Sequence, residues 1–370
     1  MSGAPVTGEA PPRLDALTGI RGIAAWLVVL YHIRLSLLDL LPAPVIGAFA
    51  KGYLAVDLFF VLSGFVLWFN YGQRIRSGGR GQIAPFLWRR FARVWPLHAF
   101  ILTLFIGFAV AIALRGTPNP NYPFTDLPLH FLLMQNWGFT ESLTWNDPSW
   151  SISTEFAAYM AFPLIALAAD WDRLRGLALS IVTVALLAAI YALFAAAGEN
   201  TLGANISQLG LWRCLLEFCL GITACRWWQR LRRVRHAAAV MAGLAASVVV
   251  AGLVFSLPET IFVPALFFAA ILALALDQGP VARALSTRAA VYLGEISYST
   301  YLGHFLLFIL FKLLFVDETL QIGWTGLAAF LAMLLGASIA LYHGVERPAQ
   351  RALNLRKPRW AATPRLAPAE

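Results

Sequence analysis

A chain of 370 residues that is 59% hydrophobic and 13% charged, with a mean hydropathy of +0.70, carries more apolar side chains than one soluble domain can bury. This excludes an ordinary soluble enzyme and identifies a polytopic membrane protein. The formal charge of +9 is weighed first against bilayer topology, since lysine and arginine collect in cytosolic loops; no nucleic-acid partner is expected. Cys214, Cys219 and Cys225 fall in one apolar segment at spacings that place them on different helix faces, so they read as small membrane-helix residues.

Residues 1–12 are polar and Pro-rich, lack an apolar stretch with a cleavage site, and are expected to form a disordered cytosolic N-terminus rather than a removable signal peptide. Apolar stretches of roughly 17 to 25 residues then predict spans at 22–41, 52–70, 91–114, 150–169, 176–197, 209–225, 237–255, 260–276, 291–315 and 324–344. A further stretch at 127–139 is apolar but short and holds His130, Gln135 and Asn136, which predicts a re-entrant piece. The expected fold is therefore an all-α bundle of about ten transmembrane helices plus a short re-entrant segment. Arginines cluster in alternate loops, while the opposite loops 42–51, 115–149, 198–208, 256–259 and 316–323 hold only Lys51 and Arg115. Both termini are thus expected in the cytosol, with a membrane domain over 13–348 and a basic cytosolic tail over 349–370. Arginine outnumbers lysine 25 to 3, a bias typical of GC-rich bacteria; a multi-pass protein of a bacterial inner membrane is expected.

Ionisable groups inside such a bundle are costly and are usually functional or paired. In the first span, Arg21 at the cytosolic mouth and His32 near mid-membrane are eleven residues apart, almost three turns, and share a face over roughly 16 Å. His32 reads either as a general base or as a packing histidine. In the second span Asp57 either orients a histidine or pairs with a neighbour. Ser63, beside Gly64, suits close helix packing more than nucleophilic attack. Arg90 and Arg93, three residues apart at the inner edge of the third span, suit phosphate oxygens or simply follow the positive-inside rule. The stretch 145–155 places Trp150 and Ser151 where an acceptor could bind. Within it Glu155 is a carboxylate that needs a partner, either His32, an acceptor hydroxyl or an arginine such as Arg213. Arg213 and Glu217, at i and i+4, read as a structural pair. Tyr298 and His304 add a polar face to the ninth span, with His304 a second group able to transfer protons. No metal-ligand spacing, Gly-rich phosphate loop or GxSxG elbow occurs, so no metal is expected.

Taken together, Arg13-Leu14-Asp15-Ala16-Leu17-Thr18-Gly19-Ile20-Arg21-Gly22 leading to His32, the stretch Gly52 to Phe65, Arg90-x-x-Arg93, Trp150 to Glu155, Ile296 to His304, and Val345-Glu346-Arg347-Pro348 resemble the acyltransferase 3 family of integral-membrane O-acyltransferases. The ordered set covers nearly the whole chain. The resemblance implies acyl-CoA, expected to be acetyl-CoA, as donor substrate with no permanently bound cofactor, and a hydroxyl of a cell-surface or exported glycan as acceptor. It implies His32 as the catalytic residue, Arg21 as its spaced partner, and Arg90 and Arg93 in donor binding. Two departures stand out: Ala16 to Arg21 replaces a shorter Asp-Gly-Leu-Arg-Gly stretch, and Thr154-Glu155 stands where Val-Glu-Glu is frequent.

The expected chemistry has the donor phosphates on Arg90 and Arg93, the thioester directed toward His32, and His32 deprotonating an acceptor that enters from outside. Glu155 or Asp57 would orient the imidazole, and groups near Ser151 and Tyr298 would face the oxyanion. The bilayer is the surrounding partner; no feature names a protein partner. The alternative class is a proton-coupled transporter or flippase, which also uses buried His, Glu and Arg.

Overall fold

The first long helix, α1 (Asp15–Ile33), opens with an acidic residue in its first turn, where the helix dipole favours a carboxylate, and tightens into a 3-10 turn at Arg34–Leu37. In this computed structural model, which describes residues 14–361 apart from Pro118, Asp170 and Asp172, every regular element among the described residues is helical. The expectations for 1–12 and for the end of the tail, 362–370, lie outside the described residues. The remaining long helices are α2 (Ala55–Leu67), α3 (Ile83–Leu114), α4 (Ser149–Ala168), α5 (Gly176–Ala196), α6 (Ile206–Leu231), α7 (Ala237–Val254), α8 (Glu259–Leu276), α9 (Ser297–Phe315) and α10 (Trp324–Leu341).

Among the described residues, nine helical runs are long and apolar enough to cross a bilayer. One, Ala43–Leu114, has 72 residues and contains both α2 and α3. At about 1.5 Å per residue it is over three times the hydrocarbon thickness, so it is more than one crossing. Gly79, with φ of +57°, lies in the turn between the two helices. The ten long helices thus correspond to the ten predicted spans.

The third and sixth spans run longer than predicted, at Ile83–Leu114 against 91–114 and Ile206–Leu231 against 209–225, and two others are shifted or broken. The first, predicted at 22–41, is found at Asp15–Ile33, because the helix takes in polar residues such as Asp15 and Arg21 that a hydropathy window rejects. His32 consequently stands in the last turn of α1 rather than at mid-span. The ninth, predicted at 291–315, is broken at Ile296 into a short helix, Arg288–Glu295, and α9.

Glycines let the helix backbones meet where no side chain fits. A Cβ on Gly64 of α2 would lie 1.9 Å from the Phe218 carbonyl oxygen, and one on Gly221 of α6 would lie 1.9 Å from that of Val61. Likewise a Cβ on Gly22 would lie 2.8 Å from the Leu293 Cβ, and one on Gly294 1.8 Å from the Thr18 oxygen. The second contact aligns α1 with the segment leading into α9. His32 and His304, each ten residues beyond its glycine, are thereby brought level.

The segment between α3 and α4 contains the stretch 127–139 predicted to be re-entrant. Among the described residues it contains a 3-10 turn, Phe124–Asp126, and a short α-helix, Leu127–Phe131, followed by turns. The Phe131 carbonyl accepts from Trp95 Nε1 at 2.8 Å and the His130 carbonyl from His98 Nε2 at 2.8 Å. Trp95 lies roughly 28 Å of helix rise from the Leu114 end of α3, so the segment reaches deep beside that helix. Irregular backbone at such depth has to be satisfied by protein. Trp137 Nε1 donates to Ser153 O at 3.0 Å, Ser153 Oγ to Leu133 O at 2.9 Å, and Asn136 Nδ2 to Ile206 O at 3.0 Å. The polar residues that distinguish this stretch in the sequence serve to hold it.

A test follows from the glycine crossings. Gly64→Leu is expected to lower thermal stability in detergent by at least about 1 to 3 kcal/mol, the usual cost of overpacking, or to prevent folding. Gly336→Leu, at a position with nothing within 4 Å, is expected to be neutral. Equal behaviour of the two in a thermal-shift measurement would contradict the packing described.

Candidate active site

Three arginines enter one cavity because α1 and α3 present them toward α4 and α9. The cavity, about 140 Å³, is lined at its arginine-rich end by Arg21, Arg90, Arg93 and Glu155, and further along by Ser151 and Tyr301. Arg93 is held by an ion pair with Glu346, which also accepts from Ser299 Oγ at 2.6 Å. Glu346 ends a π-helical turn, Tyr342–Glu346, an irregularity often found at functional positions. Arg90 donates from Nη2 to the Tyr71 hydroxyl at 3.2 Å. Three guanidiniums against the carboxylates of Glu155 and Glu346 leave an excess of positive charge, in planar forks suited to phosphate.

At the other end of the cavity the Tyr301 hydroxyl donates to Pro148 O at 3.0 Å and lies 2.7 Å from Ser151 Oγ. Ser151 Oγ also reaches Pro148 O at 3.1 Å. These two hydroxyls share their hydrogens between each other and the accepting Pro148 carbonyl, and can turn toward a ligand. Tyr298 lines the cavity as well, but its hydroxyl donates to Val94 O at 2.6 Å.

Beyond Tyr301 stand the two histidines. His304, fully buried, has Nδ1 2.7 Å from Tyr301 O. A carbonyl oxygen only accepts, so this nitrogen carries the proton and Nε2 is left with a lone pair. His32 Nδ1 lies 2.9 Å from Val28 O and 3.2 Å from His304 Nε2. By the same reasoning it donates to both, and the bare Nε2 of His32 is the atom available to take a proton. Tyr31 and Phe305 pack on the His32 ring at 4.9 and 5.5 Å, and Tyr53 lies 5.5 Å from Tyr31.

The structure thus gathers Arg21, Arg90, Arg93, Glu155, Ser151 and Tyr298 around one cavity and sets His32 and His304 just past its end. Several expectations change. Asp57 does not orient His32; its carboxylate takes Arg213 Nε at 2.7 Å and Nη2 at 2.6 Å, a buried two-pronged pair. Arg213 therefore does not pair with Glu217, whose carboxyl oxygens have no hydrogen-bond partner. The helical i, i+4 spacing proved weaker than the tertiary contact, because a forked guanidinium finds both its oxygens on Asp57. Glu155 lies on the cavity wall rather than against His32, which is oriented by Val28 and His304. Trp150 is largely buried, with Arg213 over its ring at 5.6 Å and Phe60 edge-on at 5.8 Å, and belongs to the packing around the ion pair. His304 contacts His32 and the chain of α9 instead of facing an acceptor.

Tyr71 was not singled out from sequence, and Glu346 figured there only within the Val345–Pro348 motif, with no role assigned to it. A buried arginine requires a counter-charge, so Arg93 itself signals a carboxylate elsewhere; nothing in the spacing shows that it comes from 253 residues away.

Comparison with known proteins gives a consistent picture. A sequence model of a family described as an acyltransferase domain matches residues 14–343. The chain is 30% identical over 382 residues to Acyltransferase MdmB of Streptomyces mycarofaciens, covering 94% of this chain and 95% of that protein. It is 40% identical over 115 residues to Protein 2 in picA locus of Rhizobium radiobacter, covering 30% of this chain and 54% of that protein. No solved structure matches.

Removing one partner of the Asp57–Arg213 pair leaves an uncompensated buried charge. Arg213→Met is expected to destabilise the protein by about 3 to 5 kcal/mol, with much of the loss recovered in the double variant Asp57→Leu/Arg213→Met. Thermal unfolding in detergent checks this, and a double variant no better than the single one would refute the pairing.

Proposed function

Since the chain belongs to the acyltransferase 3 family of integral-membrane O-acyltransferases, we propose that it moves a short acyl group from acyl-CoA to a hydroxyl of a cell-surface or exported glycan, with His32 as general base. The observation that supports this reading is that the arginine-lined cavity ends against Tyr301, whose ring lies 6.1 Å from that of His304. The cavity begins at Arg21, Arg90 and Arg93 and ends at Ser151 and Tyr301, with Tyr301 followed at once by His304 and His32.

In this reading the arginine-rich end faces the cytosol of a bacterial cell, as the loop charges indicate. The diphosphate of the donor rests on Arg90 and Arg93, and the pantetheine arm runs past Arg21 and Glu155. The cavity of about 140 Å³ takes only the acyl end of the donor and favours a short acyl group over a long chain. The acyl carbonyl meets the hydroxyls of Ser151 and Tyr301, which turn from Pro148 to donate to the developing oxyanion. The acceptor comes from the far side, past Tyr31, whose ring lies edge-on to His32 at 4.9 Å. The acceptor oxygen forms the new bond to the acyl carbon as the carbon–sulfur bond breaks. His32 Nε2 takes the hydroxyl proton, and the CoA thiolate leaves toward the cytosol and is protonated there. His304 fixes the His32 tautomer and shares the charge that forms.

Purified protein in lipid vesicles with radiolabelled acetyl-CoA tests this. The native protein is expected to transfer label, or release it slowly to water, and His32→Ala to lose about 10²- to 10⁴-fold of that rate. His304→Ala is expected to lose less than His32→Ala. Equal rates for native and His32→Ala would remove the base from the account, and failure to bind any acyl-CoA would remove the donor.

A further inference from the structure

The cavity is too small for a nucleotide: at about 140 Å³ it falls below the roughly 300 to 1,000 Å³ of sites that enclose whole ligands. The adenosine end of an acyl-CoA donor would have to lie outside, at the arginine-rich mouth. There the chain makes a second, separate cluster. Tyr71 lies in the π-helical turn Trp68–Gly72 that follows α2. Its ring has the guanidiniums of Arg90, Arg89 and Arg74 within 5.2, 5.5 and 5.9 Å of its centre. Phe86 packs edge-on at 5.2 Å and fixes the ring.

Three like charges around one ring repel one another, and the cation–π attraction of a single tyrosine face does not offset that for all three. The Nε atoms of Arg89 and Arg90 are buried without a hydrogen-bond partner, whereas Arg74 is exposed. Arg93, one helical turn along α3, has Glu346; Arg89 and Arg74 have hydrogen-bonding capacity directed at nothing anionic. Arg90 belongs to both places, lining the cavity and bonding Tyr71.

Resting on the donor reading above, we propose that Arg74, Arg89 and Tyr71 form a phosphomonoester subsite at the mouth, which takes the 3′-phosphate of coenzyme A while Arg90 bridges to the diphosphate. The cluster supplies charge-assisted donors to a dianion at the point where the nucleotide leaves the cavity. It sets how firmly the donor is held without touching the reacting carbonyl. Lipid phosphate could meet the same chemistry, and the experiment separates the two sources.

Steady-state turnover is measured with acetyl-CoA and with acetyl-dephospho-CoA, which lacks only the 3′-phosphate. The protein is studied in phosphatidylcholine nanodiscs with and without phosphatidylglycerol. The native protein is expected to show a KM about tenfold higher for the dephospho donor with kcat unchanged. Arg89→Ala and the exposed Arg74→Ala are expected to raise KM for acetyl-CoA and to lose the discrimination between the two donors. Arg89→Lys is expected to restore part of it. Retained discrimination in both alanine variants overturns the subsite, as does a native protein that turns over both donors alike. Effects that occur only when phosphatidylglycerol is present assign the cluster to lipid and also overturn it. No turnover or binding of either donor by the native protein overturns the donor reading itself, an outcome distinct from the others.

Discussion

A charge placed at bilayer depth has to meet its opposite within the protein, and the way this chain satisfies that demand separates its structural ionic groups from those free to do chemistry. Arg213 is closed off by Asp57 on two prongs and by Leu202 O at 2.7 Å. Glu259 is likewise engaged by Lys51 at 2.5 Å and by the Tyr53 hydroxyl. These contacts tie α2, α6 and α8 together at one end of the bundle, and each charge in them faces its opposite directly. Around the cavity the arrangement is looser: Arg93 has Glu346, while Arg21, Arg90 and Glu155 share a wall with space in front of them.

The histidine pair obeys a related constraint. His304 is wholly buried and cannot turn to water, so its ring is fixed by the chain of its own helix through Tyr301 O. That bond decides which nitrogen is bare, the bare nitrogen accepts from His32, and the last free lone pair falls on His32 Nε2. A backbone carbonyl one turn back thus sets the tautomer two side chains away. Gly22 and Gly294 supply the register, since only backbones that touch can bring two helices' tenth residues level.

Much of the fold was legible because a lipid-spanning helix has to be apolar over some twenty residues. The irregular stretch 127–139 was legible for a similar reason: His130, Gln135 and Asn136 are too polar for a lipid-facing helix. What the sequence did not reveal were tertiary partners. Asp57 and Arg213 are separated by 156 residues, His32 and His304 by 272, and no local periodicity joins them. The adjacent Glu217 offered a nearer but wrong partner for Arg213. The place of His32 along its helix was misjudged because a hydropathy window trims the polar first turns of α1 and moves the apparent centre along the chain. Glu346 was visible as part of a recurring motif, yet its role depends on where α10 delivers it, beside Arg93.

The proposed donor path runs from the arginine end of the cavity to Ser151 and Tyr301, next to the histidine pair. A cryo-EM structure with a non-hydrolysable thioether analogue of acetyl-CoA tests it most directly. The account predicts phosphate density at Arg90 and Arg93, a pantetheine arm between Arg21 and Glu155, and the acyl end at Ser151 and Tyr301, beneath the histidines. Analogue density at the far face, or a cavity left empty at saturating analogue with binding elsewhere, would contradict it.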